Sequence, residues 1–207
     1  MGRPEGNAVR HLAMTQVGNG LLYAKRYEDA SNVYEDVLST LRRIGKFGEQ
    51  MLVVQNNLAM AYTALGQVEH VLRMRKDVYS GYLRIYGAEH TLSFAAANNY
   101  ASTLCNLLRF EEAKPLLLKT LPVARRVLGE SDDLTLRMRA TYARAFYEDA
   151  GATLDGLRVA ITTLAETALI ARRVHGSTHP FTKDIEDSLR EARATLRARE
   201  TSPPRSA

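Results

Sequence analysis

The sequence predicts an all-α fold made of stacked helix-turn-helix pairs, and three observations support this prediction. A stretch that begins at Asn56 and ends at Gly87 recurs from Asn98 to Gly129, 42 residues later at both ends. Apolar residues recur at spacings of three and four, which is the pattern of amphipathic helices. No stretch alternates between apolar and polar residues as a half-buried strand would. A repeat of this length is typical of a solenoid, in which neighbouring units share a continuous core.

Composition and charge narrow the class of protein. The chain has 207 residues, of which 45% are hydrophobic, so it can bury a sizeable core. Its net charge of +5 comes from interspersed basic and acidic residues, not from the concentrated basic face that nucleic-acid binding needs. The single Cys105 excludes an internal disulfide and fits a reducing compartment. The sequence shows neither a transmembrane run nor a secretory signal, so we expect a cytoplasmic protein with no membrane or nucleic-acid partner.

The first two units each pair two amphipathic helices. In the first unit, a helix from about Asn7 to Ala24 precedes a second helix from Tyr27 to Ile44. In the second unit, a helix from about Gln50 to Leu65 precedes one from about Val68 to Tyr86, and Gly66 lies in the turn between them. The first helix of every unit has a residue no larger than alanine at one position, which suggests a close helix contact there. These residues are Gly18, Ala59, Ala101 and Ala143.

The third unit follows the same plan and the fourth departs from it. The third pairs helices at about Thr91 to Leu108 and Phe110 to Leu128. The fourth is five residues longer than the repeat, and a longer connection precedes its second helix at about Leu157 to Val174. A last helix has a heavily charged outer face, as expected for a terminal capping helix. The expected organisation is an N-terminal extension at residues 1–6, a single array at residues 7–200 with units at 7–48, 49–88, 89–130 and 131–176 and a capping helix at 180–200, and a disordered tail at residues 201–207.

The order of residue types within the units resembles a known repeat. A small residue is followed by an aromatic residue or leucine, then by a turn, and then by further core positions. The three sets are Gly18, Leu21, Tyr27 and Ala30, then Ala59, Tyr62, Gly66, Val68 and Val71, then Ala101, Leu104, Phe110 and Ala113. This order resembles the tetratricopeptide repeat, and the 42-residue period with paired asparagines at Asn56 and Asn98 resembles its kinesin-light-chain type. The resemblance implies a right-handed α-solenoid of about four helix-turn-helix pairs plus a C-terminal capping helix.

The resemblance also implies where a partner binds. In tetratricopeptide arrays the first helix of each pair lines the concave surface, and peptides or other proteins bind there. Helical spacing puts Asn56, Met60 and Thr63 on one face, and an asparagine can both donate to and accept from an extended peptide backbone. Arg137 and Arg144 could hold a carboxylate or a phosphate. The predicted groove consists of Asn19, Asn56, Met60, Thr63, Asn98, Ser102, Arg137 and Arg144, and Asn57 and Asn99 are predicted to contact the partner from its flank.

Alternative interpretations of these residues remain open. Paired asparagines can cap helices or bridge neighbouring repeats instead of contacting a ligand. Asn19 and Asn57 match the clamp asparagines of chaperone-binding tetratricopeptide domains, but Thr15 and Ala95 replace the clamp lysines, so a dedicated C-terminal-carboxylate clamp is not expected. The expected function is a non-catalytic scaffold that binds an extended, acidic peptide segment. The alternative is a regulatory or oligomerisation module of a larger signalling assembly, which uses its open N-terminal end or convex face and stacks end to end with a second copy.

The sequence offers little for catalysis or metal binding. His175 and His179 lie on either side of Gly176 in a loop before Pro180, and no third ligand accompanies them. Cys105 falls on the predicted groove face, where a packed thiol is more common than a reactive one. Neither a phosphate-binding loop nor a nucleophile elbow nor a pair of carboxylates is present. We therefore expect no enzyme activity, no metal and no cofactor.

Overall fold

The chain folds into α-helices joined by short connections. The computed structural model describes residues 4–45 and 48–201, and these residues form nine helices and no strand. The all-α prediction is therefore confirmed. The predicted C-terminal tail lies outside the described residues from position 202 onward. The helices are α1 (Pro4–Tyr23), α2 (Tyr27–Arg43), α3 (Glu49–Ala64), α4 (Val68–Tyr86), α5 (Thr91–Asn106), α6 (Phe110–Leu128), α7 (Asp133–Tyr147), α8 (Leu154–His175) and α9 (Pro180–Thr201).

The boundary of α8 shows how a capping residue shifts a helix start. α8 begins at Leu154, three residues before the start predicted from apolar spacing at Leu157. The side chain of Thr153 accepts a hydrogen bond from the amide of Gly156 at 3.0 Å, which satisfies a donor that the helix leaves unpaired. Apolar spacing alone cannot place a helix start, because the first turn of a helix is often polar.

The same turn ends the first helix of three pairs. In the second pair, the amide of Gln67 donates to the carbonyl of Tyr62 at 2.9 Å, and the amide of Gly66 donates to that of Thr63 at 3.1 Å. This is the Schellman pattern, which places one residue in the left-handed region. Gly66 has a φ of 76° and adopts this conformation without strain. The first and third pairs have the same hydrogen bonds, and their left-handed residues are Lys25 and Leu108, each with a φ of 58°.

The chain divides into two compact units, and the N-terminal unit ends at Ala96. Its core forms around Tyr34 of α2, which is fully buried. Gly18 of α1 lies so close that a Cβ on it would stand 2.5 Å from Cε1 of the Tyr34 ring. The small residue at this repeat position therefore has a steric cause, since it leaves room for the ring. The surrounding buried residues are Ala30, Val37, Leu38, Leu41, Val54, Leu58 and Ala61.

The C-terminal unit begins at Ala97, and in it α7, α8 and α9 pack around a shared core. Leu164 of α8 and Ile185 of α9 are almost completely buried in this core. The Arg199 guanidinium donates to three carbonyl oxygens of the connection between α7 and α8. α9 therefore covers the last helix pair through both apolar packing and main-chain hydrogen bonds.

The longest helices are α8 and α9, with 22 residues each. Both carry charged side chains along their length, which would be costly in a bilayer. None of the helices in the described part of the chain combines the length and apolar character needed to cross a membrane.

Candidate functional site

A cavity of about 660 Å³ lies between α1, α3 and α4 in the N-terminal unit. Four of its lining residues are among those that the sequence predicts to contact a partner, namely Asn19, Asn57, Met60 and Thr63. Met60 is 48% exposed, so apolar surface is accessible in this cavity. The structure thus brings part of the predicted groove together at one place.

Helical spacing explains how these residues come to share a cavity. Asn57, Met60 and Thr63 are three residues apart along α3 and therefore lie on one face of it. Leu58 and Ala61, on the other side of α3, are buried in the core. α3 therefore presents one face to the cavity and the other to the protein interior.

Hydrogen-bonded side chains order one wall of the cavity. Asn19 accepts two hydrogen bonds at Oδ1, one from the Tyr34 hydroxyl at 2.8 Å and one from Asn57 Nδ2 at 2.9 Å. Burial raises the pKa of Tyr34 to about 12, so the phenol remains a donor at neutral pH. Asn57 thereby links α3 to α1, which is the bridging role considered for the paired asparagines. The polar wall is already fixed in the free protein.

Arg75 of α4 also lines the cavity, and it was not among the predicted residues. The residue is only 6% exposed. Its Nη1 donates to the side-chain oxygen of Asn56 at 2.5 Å and to the main-chain oxygen of Asn56 at 3.3 Å, while its Nε is enclosed and has no acceptor. None of the described carboxylates pairs with this guanidinium. Burial lowers the pKa of Arg75 to about 10, which still leaves the side chain charged at neutral pH.

The repeat register contained a signal that could have found Arg75. Arg75 lies 41 residues after Tyr34 and 42 residues before Leu117, so the three occupy one repeat position. An arginine where neighbouring repeats have large uncharged side chains indicates a buried charge. Arg73 and Lys76 flank it on the same helix, so the local sequence by itself does not distinguish it from a solvated charge.

Asn56, also predicted for the groove, lies in the N-terminal unit but does not line this cavity, and its oxygens accept from Arg75. The remaining predicted residues lie in the C-terminal unit and do not line the cavity either. Arg137 stacks over the ring of Phe181, with its Cζ 5.1 Å from the ring centroid. Arg144 Nε donates to Glu148 Oε1 at 2.7 Å, four residues along the same helix. Both side chains that were predicted to receive an acidic group therefore have a partner within their own unit. Asn98, Asn99 and Ser102 are half-buried on α5.

A second cavity, of about 300 Å³, lies nearer the N-terminal ends of α1 and α3. Val37 and Leu41 of α2 and Val53 of α3 make its lining largely apolar, and Glu49 is its acidic residue. Leu12 of α1 also lines it and is 64% exposed. Both cavities are largely apolar, and a segment lying along α1 and α3 would meet Glu49 at one end and Arg75 at the other.

The cysteine and the two histidines considered for catalysis or metal binding have surroundings that suit structural roles. Cys105 is fully buried, and burial raises the pKa of its thiol to about 11, which suits a packed side chain and not a nucleophile. The rings of His175 and His179 stack with centroids 4.8 Å apart, and His175 Nε2 lies 3.1 Å from Asp133 Oδ1. Across residues 4–45 and 48–201, no three His, Cys, Asp or Glu side chains are arranged to hold a metal ion.

Sequence comparison identifies the repeat. Residues 52–92 and 94–133 each match the model of the tetratricopeptide repeat. The chain contains tetratricopeptide repeats. The first matched repeat includes Asn57, Met60, Thr63 and Arg75 of the cavity. A search of curated protein sequences found no match.

Solved structures with tetratricopeptide-like repeats share the fold over nearly the whole chain. A putative kinesin light chain from Podosopora anserina, described as having nearly identical TPR-like repeats, has a TM-score of 0.70 at 20% identity, with 100% of both chains covered. A variant of it has a TM-score of 0.77 at 18% identity, with 96% of this chain and 91% of that chain covered. BtubC (BKLC) from P. vanneervenii has a TM-score of 0.64 at 14% identity, with 94% and 84% covered. At these identities the similarity concerns the fold alone, and it agrees with the kinesin-light-chain-type period.

Proposed function

We propose that this chain is a non-catalytic scaffold that binds an extended segment of another protein along α1 and α3. The tetratricopeptide fold is consistent with a protein-interaction scaffold. The observation that carries the proposal is the 660 Å³ cavity, because the ordered amides of Asn19 and Asn57 lie beside the exposed side chain of Met60. Amides suit a peptide backbone and apolar surface suits its side chains, so this combination favours a peptide over a small polar metabolite.

The bound segment is expected to be acidic. Among the described residues that line the cavity, Arg75 is the charged one, and none of them carries a carboxylate. The net charge of +5 also favours the approach of acidic segments. The apolar cavity farther along α1 and α3 gives such a segment a second place to bury a side chain.

The cavity is tested by placing a negative charge in it. We expect Met60→Glu to lower the recovery of random displayed peptides by about tenfold or more, because the new carboxylate fills apolar surface and repels acidic segments. Ile85→Glu is the matched control, since Ile85 is 41% exposed in the same unit and lies outside the cavity. Equal recovery by Met60→Glu and the wild type would remove the cavity from the binding surface.

A second candidate function is assembly through exposed apolar side chains of α1. Leu12 and Val17 on this helix are 64% and 51% exposed, and they offer apolar surface to a second copy of the chain. A molecular mass that rises with concentration in light scattering, and that Val17→Glu returns to the monomer value, supports this candidate. A constant monomer mass at all concentrations removes it.

A further inference from the structure

The cavity of the N-terminal unit contains a charge that packing does not require. Arg75 shares its repeat position with Tyr34 and Leu117, and both of those side chains are fully buried. An uncharged side chain therefore fills this position in the preceding and following repeats. The need to fill this volume therefore does not explain why the residue here is a charged arginine.

None of the described carboxylates compensates this charge. The partner of Arg75 is the neutral Asn56, and the enclosed Nε has no acceptor. Moving a charge out of water is unfavourable unless an opposite charge and hydrogen bonds replace the water. The guanidinium also lines the cavity, so a molecule that enters the cavity can approach it. The described surroundings of Arg75 are thus complementary to an anion that reaches the cavity.

We propose that the cavity is a carboxylate subsite, in which Arg75 pairs with one acidic side chain of the segment bound along α1 and α3. This inference rests on the proposed function and deepens it by naming the side chain that the cavity selects. One guanidinium balances one negative charge, so a carboxylate fits better than a phosphoryl group, which carries nearly two. Asn57, fixed by its hydrogen bond to Asn19, offers the segment a polar contact beside the charge.

The subsite makes a prediction about selectivity. When a glutamate side chain of the segment reaches Arg75, the cation gains its missing counter-charge, whereas a glutamine of the same shape leaves it unpaired. Hydrogen bonds between charged partners are stronger than those between neutral ones. The protein should therefore prefer glutamate over glutamine at the one position of the segment that enters the cavity.

The experiment compares three synthetic peptide libraries of random sequence that differ at one fixed position, which is glutamate, glutamine or phosphoserine. We expect the wild-type chain to retain the glutamate library about tenfold better than the glutamine library. Arg75→Leu should retain both equally, and it should fold because Leu117 occupies the same repeat position. Arg75→Met is a second variant that keeps more of the side-chain length and should behave in the same way.

The matched control is Arg73→Leu, which removes the same charge from an exposed site two residues away on α4 and should keep the glutamate preference. A glutamate preference that survives in Arg75→Leu, or is lost in Arg73→Leu, overturns the subsite. If the wild type retains glutamate and glutamine libraries equally, the scaffold function stands and the subsite does not. If it retains neither, the proposed function fails and the subsite with it. A preference for phosphoserine over glutamate overturns the assignment to a single carboxylate.

Discussion

Two arginines are buried to nearly the same degree in opposite electrostatic surroundings. Arg139 in the C-terminal unit is 4% exposed, and Arg75 in the N-terminal unit is 6% exposed. Arg139 Nη1 lies 2.9 Å from a carboxylate oxygen of Glu130, and Nη2 lies 2.5 Å from one of Glu166. Arg75 bonds to one of the described residues, the neutral Asn56.

Burial alone therefore does not distinguish a structural charge from one that serves a ligand. The two carboxylates and the hydroxyl of Thr167, which accepts from Nε at 2.9 Å, make Arg139 a link between α8, α7 and the turn before α7. Arg75 links α4 to α3 through the neutral Asn56, and none of the described carboxylates balances its charge. Whether a buried charge is already paired decides which interpretation applies.

The largest effect on stability is expected at Arg139, whose charge is paired with two carboxylates. Arg139→Leu should lower the free energy of unfolding by about 2 kcal/mol, because it removes three hydrogen bonds that connect α7 to its neighbours. The cost stays moderate because Glu130 and Glu166 are about half-exposed and regain water. Urea titration measures it, with the exposed Arg173→Leu as the control. Similar results for both variants would mean that the ion pairs of Arg139 contribute little.

At Arg75, we expect the substitution to raise the free energy of unfolding instead of lowering it. Arg75→Leu should raise the free energy of unfolding of the free protein by about 1.5 kcal/mol, because a packed apolar side chain replaces an unpaired buried cation. The same urea titration measures this gain, and Arg73→Leu should leave stability unchanged within about 0.5 kcal/mol. A loss of stability in Arg75→Leu would show that the bonds to Asn56 outweigh the desolvation of the charge.

The steric demands of this repeat position can be tested in the first repeat, where Tyr34 holds it. Gly18→Ala should lower the free energy of unfolding by about 1 kcal/mol, because the new Cβ would lie 2.5 Å from the Tyr34 ring and overpacking outweighs the better helix propensity of alanine. Gly20→Ala on the same helix meets no atom within 4 Å and should raise stability by about 0.5 kcal/mol. Thermal unfolding of the two variants separates these effects, and equal shifts would contradict a close contact at Gly18.

The smallest expected effect is the pH dependence of the stability that Arg75→Leu gains over the wild type. The folded-state pKa of Arg75 is lowered to about 10, so the unfolded chain binds more protons above this pH and the penalty of the buried charge is relieved as pH rises. The stability difference between Arg75→Leu and the wild type should therefore be full at neutral pH and smaller at about pH 11. Urea titrations at both pH values measure this difference. A gain that does not shrink would argue that it comes from packing and not from charge.

Tyr34 shows the opposite linkage in the same unit. Its pKa is raised to about 12 by burial, so its contribution to stability is present below its usual pKa and is lost as pH rises through about 12. Both the wild type and Arg75→Leu contain Tyr34, so its effect cancels in the difference between them. The comparison of the two proteins therefore isolates the arginine.

Part of the cavity could be predicted because it depends on one helix at a time. Met60 and Thr63 share a face of α3 by spacing alone, and Arg144 and Glu148 are four residues apart, so their pairing was readable in the sequence as well. The partners of Asn57 could not be predicted in this way. Its hydrogen bond to Asn19 spans 38 residues and depends on how closely α1 approaches α3.

The sequence by itself determined the repeat, the helix pairs and the shared face of Met60 and Thr63 on α3, because each follows from periodic spacing along one chain segment. Only the tertiary structure decided which arginine is buried without a counter-charge. Arg73, Arg75 and Lys76 look alike in the sequence of α4, and their difference arises from which of them α3 covers. Desolvation is set by atoms that are distant in sequence, so the charge that distinguishes this cavity became visible only after the helices were packed.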